Sequence, residues 1–188
     1  MTGWRKINYD FLKSLTISGK VLDLGCGRKE FMHLYGDTVT TVDIDPAYEP
    51  DIVADLNEPL TFSGQYDWVI LNNVLEHIYD ARRLIKESHG LLTAGGKLVI
   101  LVPFMIKIHQ DIDHHRYTNQ SLERMLREAG FSEVSISPEG TLGDIYKTIR
   151  NDIFGLVPRY LRPLKWISYA PRVSHPAYPW GYHVVAIK

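Results

Sequence analysis

The chain has 188 residues, 45% hydrophobic and 23% charged, which is the composition of one ordinary globular domain. Its formal net charge of −1 argues against a general nucleic-acid binder, and its single cysteine, Cys26, excludes an internal disulfide. One cysteine fits a reducing compartment, so a cytoplasmic protein is expected.

The stretch from Met1 to Asp10 carries charge and lacks the apolar core of a signal peptide. No apolar run reaches the length of about 18 residues that a membrane span needs. Charge is uneven along the chain. Residues 141–188 hold seven Lys/Arg against two acids, a net of +5, which leaves −6 for the remainder.

The predicted elements alternate. Trp4, Ile7, Phe11 and Leu15 recur on one helix face. Val21-Leu22-Asp23-Leu24 reads as a short apolar strand that runs into Gly25-Cys26-Gly27. A short helix is expected near 29–35, then a β-branched strand over 38–43 and a short one over 51–55. Residues 66–71 read as a fourth strand. Helical spacing runs from Val74 to His89 and stops at Gly90. Gly95-Gly96 reads as a turn before a strand over 97–102. Ser121 is a candidate N-cap for a helix closed by Gly130. Strands over 134–137 and 183–187 complete the set. The alternation predicts a mostly parallel sheet covered on both faces, with ligands at the carboxyl ends of its strands.

The residues that follow those strands carry the chemistry. Two glycines after a strand allow a tight turn and a close backbone approach to a ligand. Asp23 precedes them by two positions, and its charge would oppose a pyrophosphate and favour a ligand bearing an ammonium group. Position 30 is Glu, so the third glycine of the dinucleotide fingerprint is missing. That weakens the alternative of a nicotinamide-dependent oxidoreductase. Asp43, at the end of the second strand, suits the two hydroxyls of a ribose. Asp55 and the Leu56 backbone suit the edge of an adenine. Each of these acids alone would read as an ordinary turn residue.

Taken in order, Asp23-Leu24-Gly25-Cys26-Gly27, Asp43, Asp55 and Tyr66-Asp67-Trp68-Val69-Ile70-Leu71-Asn72-Asn73-Val74-Leu75-Glu76-His77 resemble class I S-adenosylmethionine-dependent methyltransferases. The branch most alike is the type 11 or UbiE-like group, and the resemblance covers about residues 18–137. It implies a Rossmann-like, doubly wound α/β sheet of seven strands, mostly parallel with the last strand antiparallel. It implies S-adenosylmethionine as cofactor, with Asp23, Gly25, Cys26 and Gly27 at the methionine part. Asp43 and Ile44 would serve the ribose, Asp55 and Leu56 the adenine, and Asn72 would lie near the sulfonium. Glu76 and His77 match the family's Leu-Glu-His, and His77 reads chiefly as structural.

The stretch after the fifth strand, residues 103–118, is the expected acceptor side. Between 109 and 116 it gathers His109, His114, His115, Asp111, Asp113 and Arg116. It resembles a pattern in methyltransferases encoded with surface-polysaccharide genes, although His114 and His115 stand where aromatic residues are usual. Three readings stay open: a general base for a hydroxyl, with His109 or Asp113 in that role; a hydrogen-bonded network shaping the pocket; or a metal site. No zinc pattern fits the spacing, so no metal is expected.

The whole chain is read as one domain, with 141–182 a helical, basic insertion before the last strand. That insertion reads as a lid, as a peripheral contact with an anionic membrane, or as a dimer contact. The expected function is methyl transfer to a small molecule or a lipid-linked sugar hydroxyl. A non-catalytic cofactor-binding module is the alternative from a different class.

Overall fold

The computed structural model describes residues 3–36, 38–108, 111–156, 173–175 and 177–188. Helix α1 spans Gly3–Ser14, followed by β1 (Lys20–Leu24), β2 (Thr38–Asp43), β3 (Ile52–Val53) and β4 (Tyr66–Asn72). Then come α2 (Ala81–Leu91), β5 (Leu92–Pro103), α3 (Asn119–Ala129), β6 (Glu133–Glu139), α4 (Leu142–Leu156) and β7 (Gly181–Ile187). Single 3-10 turns occupy Met32–Leu34, Pro46–Tyr48 and Leu75–His77.

The strands form one seven-stranded sheet in the order β3-β2-β1-β4-β5-β7-β6. β1 to β5 pair in parallel, and β7 runs antiparallel between β5 and β6. The expected seven-stranded, mostly parallel α/β sheet is therefore the observed one. Strand order reverses between β1 and β4, which places a crevice at their carboxyl ends.

Alternating side chains of the central strands feed two cores. Leu22, Leu24, Val69, Leu71, Leu98 and Ile100 pack with Leu84, Ile85, Leu122 and Leu126 from α2 and α3. Val21, Trp68, Ile70, Val99 and Leu101 pack on the other face against Leu12 of α1. A strand apolar on both faces belongs in the middle of such a sandwich, and β1 shows it, with four consecutive buried residues.

Several boundaries differ from the sequence reading. The helix expected over 74–89 is split. Leu75–His77 forms a 3-10 turn, and α2 starts after Asp80, whose carboxylate caps it by accepting from Arg83 N at 3.1 Å. Gly90 does not stop α2, which continues to Leu91. Gly95, with φ of +75°, sits inside β5, where the register against β4 shifts between Tyr66 and Trp68. Thr118, not Ser121, caps α3, accepting from Ser121 N at 3.2 Å, and Gly130 closes it in the left-handed conformation. Within the expected insertion, α4 occupies 142–156. Arg159, Arg162, Lys165 and Arg172 lie outside the described residues.

Candidate functional site

A cavity of about 1060 Å³ opens at the carboxyl ends of β1, β2 and β4. It lies at the upper end of the roughly 300–1,000 Å³ of small-molecule sites, leaving room for a cofactor and an acceptor together. Asp23, Gly25, Cys26, Gly27, Asp43 and Ile44 all line it. So do Asp55, Leu56 and Asn72. The fold thus brings every residue given a cofactor role from the sequence to one space.

The glycine elbow is built by backbone. Gly25 N and Cys26 N both donate to Val42 O, at 2.8 and 3.0 Å, which folds the end of β1 over β2. Gly25 needs its φ of +79° for that turn, and a side chain there would strike Val74. Gly27 N donates to Asp43 Oδ2 at 2.7 Å, and Asp45 N donates to Asp43 Oδ1 at 3.0 Å. Asp43 therefore clamps the loop to the tip of β2. A Cβ on Gly27 would meet open space, so the loop presents bare backbone to the cavity.

The electrostatics of this corner call for a cation. Asp23 is 4% exposed, and burial, then the neighbouring Asp43 carboxylate, push its carboxyl up to about 7. The same corner raises the Cys26 thiol to about 11, first through burial and then through Asp23 and Asp43. That places the thiol far from a reactive thiolate. A ligand ammonium beside Asp23 would relieve the repulsion and restore the ionised form. Asp55 is more open and accepts from Asn57 N at 2.8 Å. Buried acid, acidic strand tip and open glycine loop together fit an adenosine joined to a cationic amino acid.

Asp23 gives a testable pH dependence. In the folded chain its carboxyl keeps a proton that the unfolded chain releases near pH 3.8. Its stabilising contribution is therefore complete below that value and is lost as pH rises through about 7. Glu76, raised to about 8 mainly by burial, acts in the same direction. Urea melts of the wild type and of Asp23→Asn should diverge between pH 4 and pH 7. S-adenosylhomocysteine affinity should rise with pH over that interval in the wild type alone.

The roof of the cavity comes from residues distant in sequence. Gly3, Trp4 and Arg5 of α1 line it, and Arg5 pairs with Glu30 across the loop after β1. Trp4 and Trp180 meet edge to face with centroids 6.1 Å apart. Each indole occupies the space beside the other's neighbouring glycine. The Trp4 ring lies 2.2 Å from where a Cβ on Gly181 would stand, and the Trp180 ring lies 2.8 Å from that of Gly3. Glycine is required at both positions for this reciprocal clasp.

The acceptor-side stretch is pinned to the Leu75–His77 turn. His114 N and His115 N donate to Glu76 O at 2.8 and 3.2 Å, and Tyr117 Oη donates to Leu75 O at 3.1 Å. His77 Nδ1 bonds Ile112 O, and His115 Nε2 bonds Tyr79 O at 3.1 Å. Arg116 grips both carboxylate oxygens of Asp113 and reaches Ile106 O. Of the two candidate bases, His109 lies outside the described residues. Asp113 is not among the cavity-lining residues, and its lone pairs are held in the Arg116 fork. Among the described residues no group of three or more His, Cys, Asp or Glu could hold a metal.

Sequence reasoning did not assign Trp4, Tyr35, Asn73 or Trp180 to the site, although all four line the cavity. Trp4 and Tyr35 carried only an apolar signal. Trp180 lies far along the chain, in a stretch without periodicity. Asn73, with φ of +55°, is a non-glycine residue in a strained conformation, but a sequence does not display that.

Comparison with known proteins settles the family. A family model described as "Methyltransferase domain" matches residues 5–136. The chain belongs to this methyltransferase domain family. Its fold is that of the S-adenosylmethionine-dependent methyltransferase structures it aligns with. A ubiquinone biosynthesis O-methyltransferase of Coxiella burnetii is 33% identical over 124 residues, 56% of this chain and 51% of that protein. One from Vibrio parahaemolyticus is 29% identical over 157 residues, 72% of this chain and 60% of its own. The chain thus spans about half the length of the first of these curated relatives. An S-adenosylmethionine-dependent methyltransferase structure from Archaeoglobus fulgidus aligns with a TM-score of 0.61 at 21% identity, covering 98% of this chain and 90% of that one. A Haemonchus contortus phosphoethanolamine N-methyltransferase, in complex with phosphomonomethylethanolamine and S-adenosylhomocysteine, aligns with a TM-score of 0.63 at 16% identity, covering 99% of this chain and 53% of the other.

Proposed function

We propose that this chain transfers the methyl group of S-adenosylmethionine to a hydroxyl oxygen of a small molecule, lipid-linked sugars included. The observation that carries the reading is one cavity lined both by the acid-backed glycine elbow and by residues of the acceptor stretch and α4. Pro103, Ile106, Lys107 and Ile112 line it beside Trp180, with Thr148, Asn151 and Asp152 of α4. The names of the ubiquinone biosynthesis relatives support oxygen as the atom methylated.

The bound sulfonium supplies an activated methyl group, so the protein chiefly positions the two reactants, an effect of roughly 7–11 kcal/mol at its best. Asp43 would accept the ribose hydroxyls while its other lone pairs hold the loop. Asp23 would hold the ammonium group. Apolar walls around the acceptor would exclude water and keep its nucleophilic oxygen in line with the methyl group. His109 is the proposed base for a hydroxyl that is slow to lose its proton. Asp113, in its fork with Arg116, would instead shape the wall of the acceptor stretch.

Calorimetric titration with S-adenosylmethionine, S-adenosylhomocysteine and NAD tests the reading. The first two should bind and NAD should give no heat. Tight NAD binding with silence from the others would overturn it.

Membrane contact through 141–182 is a second element of the proposal. Tyr146 and Ile149 on α4 are exposed apolar residues on a helix that also carries Lys147 and Arg150. The pure protein should bind vesicles of anionic lipid at low salt and release at high salt. Failure to sediment with them would remove that element and leave the methyl transfer untouched. Among the described residues no helix is long and apolar enough to cross a membrane.

A further inference from the structure

A buried polar chain runs from the cavity through α1 to β7. Trp4 Nε1 donates to Asn73 Oδ1 at 2.6 Å. Asn73 Nδ2 donates to Asn72 Oδ1 at 2.9 Å, and Asn8 Nδ2 donates to the same oxygen at 3.2 Å. Asn8 Oδ1 lies 2.9 Å from His183 Nε2. Asn8 is fully buried and His183 is 2% exposed, although neither lines the cavity.

The polarity of this chain is fixed from one end. An indole N–H can only donate, so Asn73 must accept with its oxygen and donate with its nitrogen. Asn72 Oδ1 then receives two donors, from Asn73 and Asn8. Asn8 has turned its nitrogen to Asn72, so its oxygen faces His183, and His183 must carry its proton on Nε2. The remaining group of Asn72 is Nδ2, and Asn72 lines the cavity together with Tyr35. An amide flips at little steric cost unless its partners forbid it. Here two donors on one oxygen forbid it.

We propose that Asn8 and His183 are positioning residues for methyl transfer, acting through Asn72 to hold its amide nitrogen toward the cofactor as a fixed donor. The role rests on the cofactor reading given above, with Asn72 beside the bound ligand. His183 orients Asn8, Asn8 orients Asn72, and neither touches substrate. The device ties the cofactor end of β4 to helix α1 and to the antiparallel strand β7. A pocket residue is thereby set by elements that do not form the glycine elbow.

Calorimetric titration with S-adenosylhomocysteine, paired with thermal melts, tests it. Asn8→Asp keeps the shape of the residue but faces Asn72 Oδ1 with a second acceptor. It should raise the dissociation constant about tenfold, the scale of one lost hydrogen bond in a buried site. His183→Leu should do the same. His183→Gln restores a donor close to the Nε2 position and should return affinity to within about threefold of wild type, the rescue that a lost packing contact would not show. Folded Asn8→Asp and His183→Leu proteins with wild-type affinity would overturn the proposal, as would glutamine and leucine behaving alike. Should the variants not fold, the wild-type chain still decides. The side-chain amide resonances of Asn8 should shift on saturation with S-adenosylhomocysteine, and unmoved resonances would refute the coupling. A wild-type chain that does not bind S-adenosylhomocysteine would sink the cofactor reading itself. Binding with indifferent variants would sink only the positioning role.

Discussion

Gly25→Val should abolish measurable S-adenosylhomocysteine binding and lower stability by about 2–5 kcal/mol. Two costs combine. The backbone at this position has φ of +79°, a conformation that costs a residue with a Cβ roughly 1–2 kcal/mol. The new Cβ would also stand 2.4 Å from Val74 Cγ2, and overpacking of this kind costs about 1–3 kcal/mol. Val74 is buried against the β-sheet core and has little room to retreat. The elbow must then unwind, which breaks the paired donors to Val42 O and moves the loop off the ligand. Thermal melts and calorimetry read the two effects separately. A folded valine variant with wild-type affinity would show that the ligand sits elsewhere.

Asp43→Ala carries the second large effect. Its carboxylate is 8% exposed and accepts from two backbone amides, those of Gly27 and Asp45. Removing it orphans both donors at roughly 1–3 kcal/mol each, so about 2–6 kcal/mol of stability should be lost. Affinity for S-adenosylhomocysteine should fall about tenfold to hundredfold through the missing ribose acceptor. Asp43→Asn separates the two contributions. In the asparagine variant an NH2 group replaces one carboxylate oxygen and cannot accept from the backbone amide it faces, so one of the two loop bonds is lost while one acceptor oxygen remains. A variant with the stability loss and unchanged affinity would confine Asp43 to holding the loop.

Much of this could be read from the chain because the signals are local. The end of β1, the elbow and the acids at the tips of β2 and β3 follow one another within 35 residues, each fixed by its neighbours. The sheet was equally legible, since buried parallel strands such as Val69-Ile70-Leu71 show as unbroken apolar runs. Errors arose where one side chain overrode a pattern. Helical spacing continued through Glu76 and His77, but Asp80 supplies a better cap and α2 begins there. Ser121 looked like a cap until Thr118, three residues earlier, took its amide. Gly90 and Gly95 both read as punctuation in the sequence, whereas the first continues a helix and the second absorbs a register shift.

The acceptor stretch was legible in composition but not in arrangement. Crowded His, Asp and Arg residues read as chemistry in sequence. In the fold, much of that crowding serves to fasten the segment to the Leu75–His77 turn. The roof was illegible for a different reason. Nothing near Trp4 announces that Trp180 will lie against it, and no periodicity pairs Asn8 with His183.

The tryptophan clasp and the bond between Asn8 and His183 join positions 176 and 175 residues apart. Contacts of that span close late in folding, because ordering so long a loop precedes any gain from the contact. During synthesis the elbow and its acids emerge early, while their ceiling waits for a strand made some 140 residues afterward. The glycine loop and its acids are therefore synthesised well before the residues that roof them, and closing the crevice over a bound adenosine waits for the antiparallel strand.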